Sequence, residues 1–269
     1  MKTKVLLSAR QAALATFCIG GSPGEDIESA VANVGNFPIL RKQNLNGVIN
    51  ALSDQGGELT APILELTPLR LTSGDETPPS GVAQDGHAYQ EIRVGGTAVF
   101  AGDRWVAELN PIETRTLVKI LNKASECINT LPNPADPTGQ ITVYYEELRV
   151  DYEVQQLAGN QLELVVKPRG RIRLVEVKGE YDFEAEGLEP VQTEVRASVA
   201  AEFQHLFARL QDLRLDGVGV GNIISRKKPA LWKDLKDRWA EVFPSVQVRV
   251  EPSIRLRNTG QIRRLPQMK

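Results

Sequence analysis

Two glycine-bearing motifs in this 269-residue chain have the spacing of reactive sites. Gly20-Gly21-Ser22-Pro23-Gly24 matches G-x-S-x-G, which in α/β-hydrolases presents a nucleophilic serine on a sharp strand-to-helix turn. That chemistry needs the backbone N–H of the residue after the serine as an oxyanion donor, and Pro23 has none. It also needs a base, and His87 and His205 are the only histidines. The motif therefore reads as a helix start, capped at Ser22 with proline and acid in the first turn.

Asp216-Gly217-Val218-Gly219-Val220-Gly221 has the spacing of a phosphate cradle. Cradles of that kind follow a strand and open a helix. This one is expected to follow a long helix, and Lys228 lacks the Ser or Thr that a P-loop requires after its lysine. Its expected role is a helix C-terminal stop with residues at positive φ. His205 has no second histidine one helical turn away, so no helix-borne metal pair exists. Cys18 and Cys127 cannot form a four-ligand zinc site alone. Glu146-Glu147 and Glu184 with Glu186 read as solvated faces. Arg255, Arg257, Arg263, Arg264 and Lys269 form a basic tail. It would suit an acidic partner or lipid head groups, but reads first as an edge strand protected by charge. No residue is assigned a catalytic, cofactor-binding or metal-ligating role, and no cofactor is expected.

Composition agrees with a globular chain: 41% hydrophobic and 25% charged residues, with a formal net charge of −2. Such a balance gives no global field for nucleic acid. No apolar run reaches the roughly 20 residues that span a bilayer. Met1-Lys2-Thr3-Lys4 before Val5-Leu6-Leu7 starts like a signal peptide, but Arg10 and Gln11 interrupt it. Phe17 is too bulky to precede a lipidated cysteine at Cys18, so Lys4 to Ala9 reads as a buried strand.

The elements follow from pattern. Helices are expected from Ser22 to Val34 and from Gln43 to Asp54, the second ended by Gly56-Gly57. Leu59 to Leu69 is extended, with Pro62 and Pro68 suiting an edge. Residues 72–86, rich in Pro, Gly, Ser and Asp, read as a linker that divides a partial α/β N-terminal domain, 1–85, from a C-terminal domain, 86–269. Two strands, Ala88 to Phe100 and Arg104 to Leu109, precede a helix capped at Asn110 and expected to reach about Ile128. Period-two alternation from Ile141 to Val177, with turns at Ala158-Gly159-Asn160 and Pro168-Arg169-Gly170, predicts an antiparallel meander. Val191, Val195, Val199, Phe203, Leu206, Leu210 and Leu213 stripe a helix from Glu189 to about Leu215. Pro229 opens another helix, Pro244 stops it, and Val246, Val248 and Val250 alternate as a strand. The fold class is α+β: an antiparallel sheet with long amphipathic helices on one face.

The segment from Asp216 to Gly260 resembles a known family. Asp216-x-x-Gly219-x-Gly221, Pro229-x-x-Trp232-Lys233, Trp239, Phe243-Pro244, the Val246/Val248/Val250 strand and Thr259-Gly260 stand in the order found near the C-terminus of Ger(x)C-family spore germination proteins. Gly95 to Phe100 with Asp103 to Val106 resembles that family's opening hairpin, and Glu113-Thr114-Arg115 its following helix start. Asp216, Gly217, Gly219, Pro229, Trp232, Trp239, Phe243 and Gly260 are thus expected to form a structural motif. The resemblance implies the C subunit of a germinant receptor, without catalytic residues, partnered by membrane subunits A and B. It implies a lipoprotein on the extracytoplasmic face of the spore inner membrane, and a longer native product with a signal peptide and lipid anchor. The reading from another class is an extracytoplasmic small-molecule binding protein, which an apolar pocket with a few converging polar groups would favour. Trp232 and Trp239, two helical turns apart, are expected to share one buried face, each worth about 3–5 kcal/mol.

Overall fold

The computed structural model of the chain describes residues 4–5, 56–68, 90–123 and 126–257. The helices expected over 22–34 and 43–54, the segment 72–86, His87, Cys18, Gly260 and the basic residues beyond it lie outside the described residues. Two sheets organise the rest. The first orders β1 (Lys4–Val5), β2 (Thr60–Pro68), β3 (Gln90–Ala101) and β4 (Arg104–Leu109), all antiparallel. β2 and β3 pair along their whole length, so the chain on either side of 72–86 belongs to one sheet.

Asn110 caps α1 (Pro111–Ile120) with a complete capping box. Its side-chain oxygen accepts from the N–H groups of Ile112 and Glu113, both at 2.9 Å, while its own N–H donates to the Glu113 carboxylate at 2.8 Å. The helix stops well short of the expected Ile128. Asn122 takes a left-handed backbone, φ 56°, and its amide pairs with both the N–H and the carbonyl of Val150. Cys127–Pro132 then forms β5, with Cys127, Asn129 and Leu131 facing inward. An inward asparagine hides this alternation in the sequence.

The second sheet orders β5, β6 (Gln140–Gln156), β7 (Leu162–Lys178) and β8 (Gln247–Val250), with β9 (Ser253–Leu256) also on β7. β6 and β7 form one long hairpin turned at Ala158–Asn160, where Gly159 adopts φ 74°. The second expected turn, Pro168-Arg169-Gly170, is instead the middle of β7. Pro168 is tolerated there because its missing N–H falls where β8 has ended and β9 has not begun. Gly170 lies across from Leu148, beside a bulge at Glu146, and a Cβ on it would stand 2.5 Å from the Glu147 carbonyl oxygen. It answers a close approach of two backbones rather than a turn. β8 and β9 both run parallel to β7, so the sheet is mixed.

α2 (Glu189–Asp212) covers the inner face. Val191, Val195, Val199, Phe203, Leu206 and Leu210 are buried as the stripe predicts, joined by Phe207, while Leu213 packs only partly buried beyond the helix end. Each such burial stabilises by about 1.5–3 kcal/mol. The helix also holds the sheet's edge segments through polar arms. Gln211 donates to the carbonyls of Phe243 and Val246, and Gln192 accepts from the Leu256 N–H. The described helices end with α3 (Val220–Lys227), α4 (Pro229–Leu235) and α5 (Trp239–Val242), so the single helix expected after Pro229 is broken between Lys236 and Arg238.

Gly170→Ala is expected to cost about 1–3 kcal/mol, the range for overpacking a tight contact. Urea denaturation of the variant checks this, and a neutral substitution would show that the backbones can part.

Candidate functional site

The loop after α2 is where the sequence motif converges. Arg214 takes φ 57°, and the N–H groups of Leu213, Arg214 and Leu215 donate back to Arg209, Gln211 and Leu210. This reversal delivers Asp216 into the interior, only 4% exposed. One carboxylate oxygen accepts from the N–H groups of Gly219 and Val220, each at 2.8 Å. The other accepts from Gly221 N–H at 2.8 Å and the Trp239 indole at 2.9 Å. Gly219, at φ 80°, is the N-cap of α3. The loop is therefore not only the stop of α2, as the sequence suggested, but also the start of α3. Its N-terminal N–H groups, which would otherwise be free for a phosphate, are filled by the chain's own carboxylate.

Burial pushes the Asp216 carboxyl up to about 6, against the pull of the backbone and indole N–H groups. It is ionised at neutral pH and saturated, with two donors on each oxygen. With each oxygen already accepting two N–H groups, the carboxylate is committed to holding the loop rather than turned toward a ligand.

Gly56-Gly57 lies against this loop. Glu58 N–H donates to the Asp216 carbonyl and Asn222 N–H to the Gly56 carbonyl, both at 2.9 Å. A Cβ on Gly57 would come within 2.9 Å of Gly219 Cα, and one on Gly221 within 2.7 Å of Gly56 Cα and of the Trp232 ring. The glycines permit two backbones to cross in contact. Gly217 is looser, its nearest neighbour the Thr60 methyl at 3.3 Å.

Pro229 opens α4 from an exposed position. Trp239 and Phe243 are buried, while Trp232 is half-buried. The Trp232 and Trp239 rings meet edge to face, with centroids 5.5 Å apart, and Phe243 lies 5.9 Å from Trp239. The two indoles were expected on one buried face of an intact helix; they meet instead across a broken one, with only Trp239 buried.

The other candidates do not gather. His205 is exposed, with its ring nitrogen 3.6 Å from Glu113. Glu147 pairs with Arg171 at 2.9 Å, and Glu184 and Glu186 are exposed. Among the described residues no three His, Cys, Asp or Glu side chains stand close enough to hold a metal ion. A cleft of about 670 Å³ lies between Glu58, Tyr152, Asn222 and Arg226. Its polar groups are largely engaged within the chain: the Tyr152 hydroxyl donates to the Ile120 carbonyl, and Arg226 to that of Asn222.

A second buried polar cluster escaped the sequence reading. Lys119 of α1, fully buried, pairs with Glu202 of α2 at 3.0 Å, and Asn129 of β5 donates to the same carboxylate at 3.1 Å. Burial opposes ionisation of Glu202, but the Lys119 ammonium and the hydrogen bonds hold its pKa below the usual range. Cys127 is nearby, its thiol pushed up by burial. Opposite charges on the apolar sides of two helices were the available signal.

The fold is thus that of an α+β protein whose central motif is architectural. Residues 95–260 match the family described as spore germination B3/GerAC like, C-terminal. The chain belongs to this family. It is 22% identical over 241 residues to YfkR of Bacillus subtilis (strain 168), a protein assigned to spore germination, covering 88% of this chain and 57% of that one. The crystal structure of the GerBC protein superposes with a TM-score of 0.55 at 15% identity, over 62% of this chain and 53% of that one. The chain spans little more than half the length of either relative.

Asp216→Ala leaves buried N–H donors without partners and is expected to cost about 3 kcal/mol at neutral pH. The raised pKa means that the folded chain holds this proton more tightly than the unfolded one. The proton-linked part of the group's contribution is therefore fully present below pH ~4 and is lost as pH rises through about 6, while the hydrogen bonds remain, so the wild type's margin over the variant should narrow across that window without vanishing. Urea melts at both ends decide it; a margin that widens would show that the fold favours the ionised form.

Trp239→Ala is expected to cost about 3–5 kcal/mol, and the half-buried Trp232→Ala only about 1–2. Equal losses in denaturant melts would contradict that ranking.

Proposed function

We propose that the chain is a non-catalytic subunit of a spore germinant receptor, acting in receptor assembly and nutrient-triggered germination. The match of residues 95–260 to the GerAC-like family carries this reading. Similarity to a relative assigned to spore germination supports it. The chemistry agrees: the motif's buried carboxylate is saturated by N–H donors, and the titratable candidates are dispersed. In this reading the partners are the membrane subunits A and B of the receptor. The protein is, in this reading, a lipoprotein held on the extracytoplasmic face of the spore inner membrane by a lipid anchor. No helix among the described residues is long and apolar enough to cross a membrane. Residues 86–269 are proposed as the Ger(x)C-like domain, completed by strand β2 from the preceding segment.

Stable docking on the A and B subunits calls for about 800 Å² of this chain's surface. A tagged full-length form should co-purify with both subunits from spore membranes in mild detergent, and deletion of its gene should slow nutrient-triggered germination. Absence of both subunits from the purified material, with unchanged germination kinetics, would refute the reading.

A further inference from the structure

The outer face of the long hairpin carries an unusual charge arrangement. Arg149 of β6 stands directly opposite Arg169 of β7, and Arg171 of β7 directly opposite Arg255 of β9. Like charges facing across a ladder destabilise a sheet, yet two such pairs sit side by side. Arg173 extends the row on β7 and Arg257 follows β9, and all six side chains are exposed. Those of Arg149, Arg169, Arg171 and Arg257 are between 63% and 78% exposed. Among the described residues, fewer carboxylates answer them. Glu147 is shared between Arg149 at 3.3 Å and Arg171 at 2.9 Å, Asp151 is 3.6 Å from Arg169, and Glu146 is 4.0 Å from Arg257. Arg173 lies over the Tyr144 ring at 4.6 Å, and that tyrosine's hydroxyl donates to Glu126. Further along the hairpin the charges close on one another: Lys167 pairs with Glu153, and Arg249 with Glu163 and Glu251. The surplus is therefore local to one half of the face.

We propose that the arginine face of β6, β7 and β9 binds an acidic polypeptide segment of a partner, whose carboxylates at alternate positions enter between the facing guanidinium groups. Every cation in the row is an arginine, the side chain whose planar fork takes a carboxylate through two parallel hydrogen bonds. A lipid surface draws lysine and arginine alike and would not select the fork. The spacing also fits. Rows on one strand repeat every ~6.8 Å, the repeat of alternate side chains in an extended chain, and neighbouring strands lie about 4.8 Å apart. The interleaved carboxylates disfavour a continuous phosphate backbone while leaving discrete carboxylates room to exchange partners. This inference concerns the surface of the chain itself, and its test is independent of the receptor assignment.

The test uses the purified chain, a fluorescent alternating Glu-Thr peptide, and vesicles of phosphatidylglycerol at the same low salt. Peptide binding is expected, weakened about tenfold or more by Arg171→Glu with Arg255→Glu and several-fold by Arg171→Lys with Arg255→Lys. Both residues are exposed, and a urea melt confirms that the variants remain folded. Absence of peptide binding, equal affinity in the charge-reversed or lysine variants, or preference for the vesicles would overturn the proposal.

Discussion

One buried carboxylate fixes the course of the C-terminal half. Removing Asp216 from water costs several kcal/mol unless its oxygens are fully hydrogen-bonded. Three backbone N–H groups and one indole meet that demand. Meeting it forces α2 to end, the chain to reverse, and α3 to begin within a few residues. It also draws Trp239 inward from a segment 23 positions away. Once the loop is closed, its glycines present a surface without side chains, and Gly56-Gly57 can lie on it with backbone hydrogen bonds in both directions. The entry of β2 into the first sheet is thereby tied to the helical layer of the second.

The Lys119–Glu202 pair is a different kind of device. Buried ion pairs contribute little net stability, because desolvation offsets the attraction. Here each partner has further company: Asn129 on the carboxylate, and the Tyr145 ring 5.6 Å from the ammonium. An apolar contact tolerates rotation or slip between helices, whereas this pair is satisfied in one register of α1, α2 and β5. Thr114 adds a similar restraint, donating to Thr97 at 2.9 Å and joining α1 to β3. The hydrophobic stripe supplies the energy of packing, and the polar pairs select the arrangement.

The stripe of α2, the N-cap at Asn110 and the β3–β4 hairpin were legible in the sequence, because each is a local pattern with one physical meaning. The failures came where distant partners decide. Pro168-Arg169-Gly170 has turn composition, and only the gap between β8 and β9 and the bulge at Glu146 make it strand. The helix from Asn110 has no local reason to stop at Ile120; Asn122 finds its partner at Val150, 28 residues on. At the site, the sequence singled out Asp216, Gly217, Gly219, Trp232 and Trp239 through resemblance, but read the glycines as a terminator. That Asp216 would itself fill the N-terminus of α3 depends on a short helix, Val220–Lys227, too brief to announce itself by period. Gly56-Gly57 resembled a helix end, and its close approach to Gly219 and Gly221 is a tertiary fact.

Of the residues that carry the family resemblance, Asp216, Gly219, Gly221, Trp232, Trp239 and Phe243 build the Asp216 loop and its aromatic cover. Asp216, Trp239 and Phe243 among them are buried, and Gly219 and Gly221 are set by backbone contacts, so these specify a shape and offer little to a partner. Whatever distinguishes this chain in its work must then lie where the fold leaves freedom. The inner face of the long hairpin is committed to α2, while the half of the outer face that bears Arg149, Arg169, Arg171 and Arg173 is open to solvent and can carry charge at alternate positions without disturbing the core. That separation, with architecture on one side of a strand and recognition on the other, is available to any half-covered sheet. In this chain the covered side is organised around one saturated carboxylate, and the uncovered side bears guanidinium groups held opposite one another at a cost that burial elsewhere offsets.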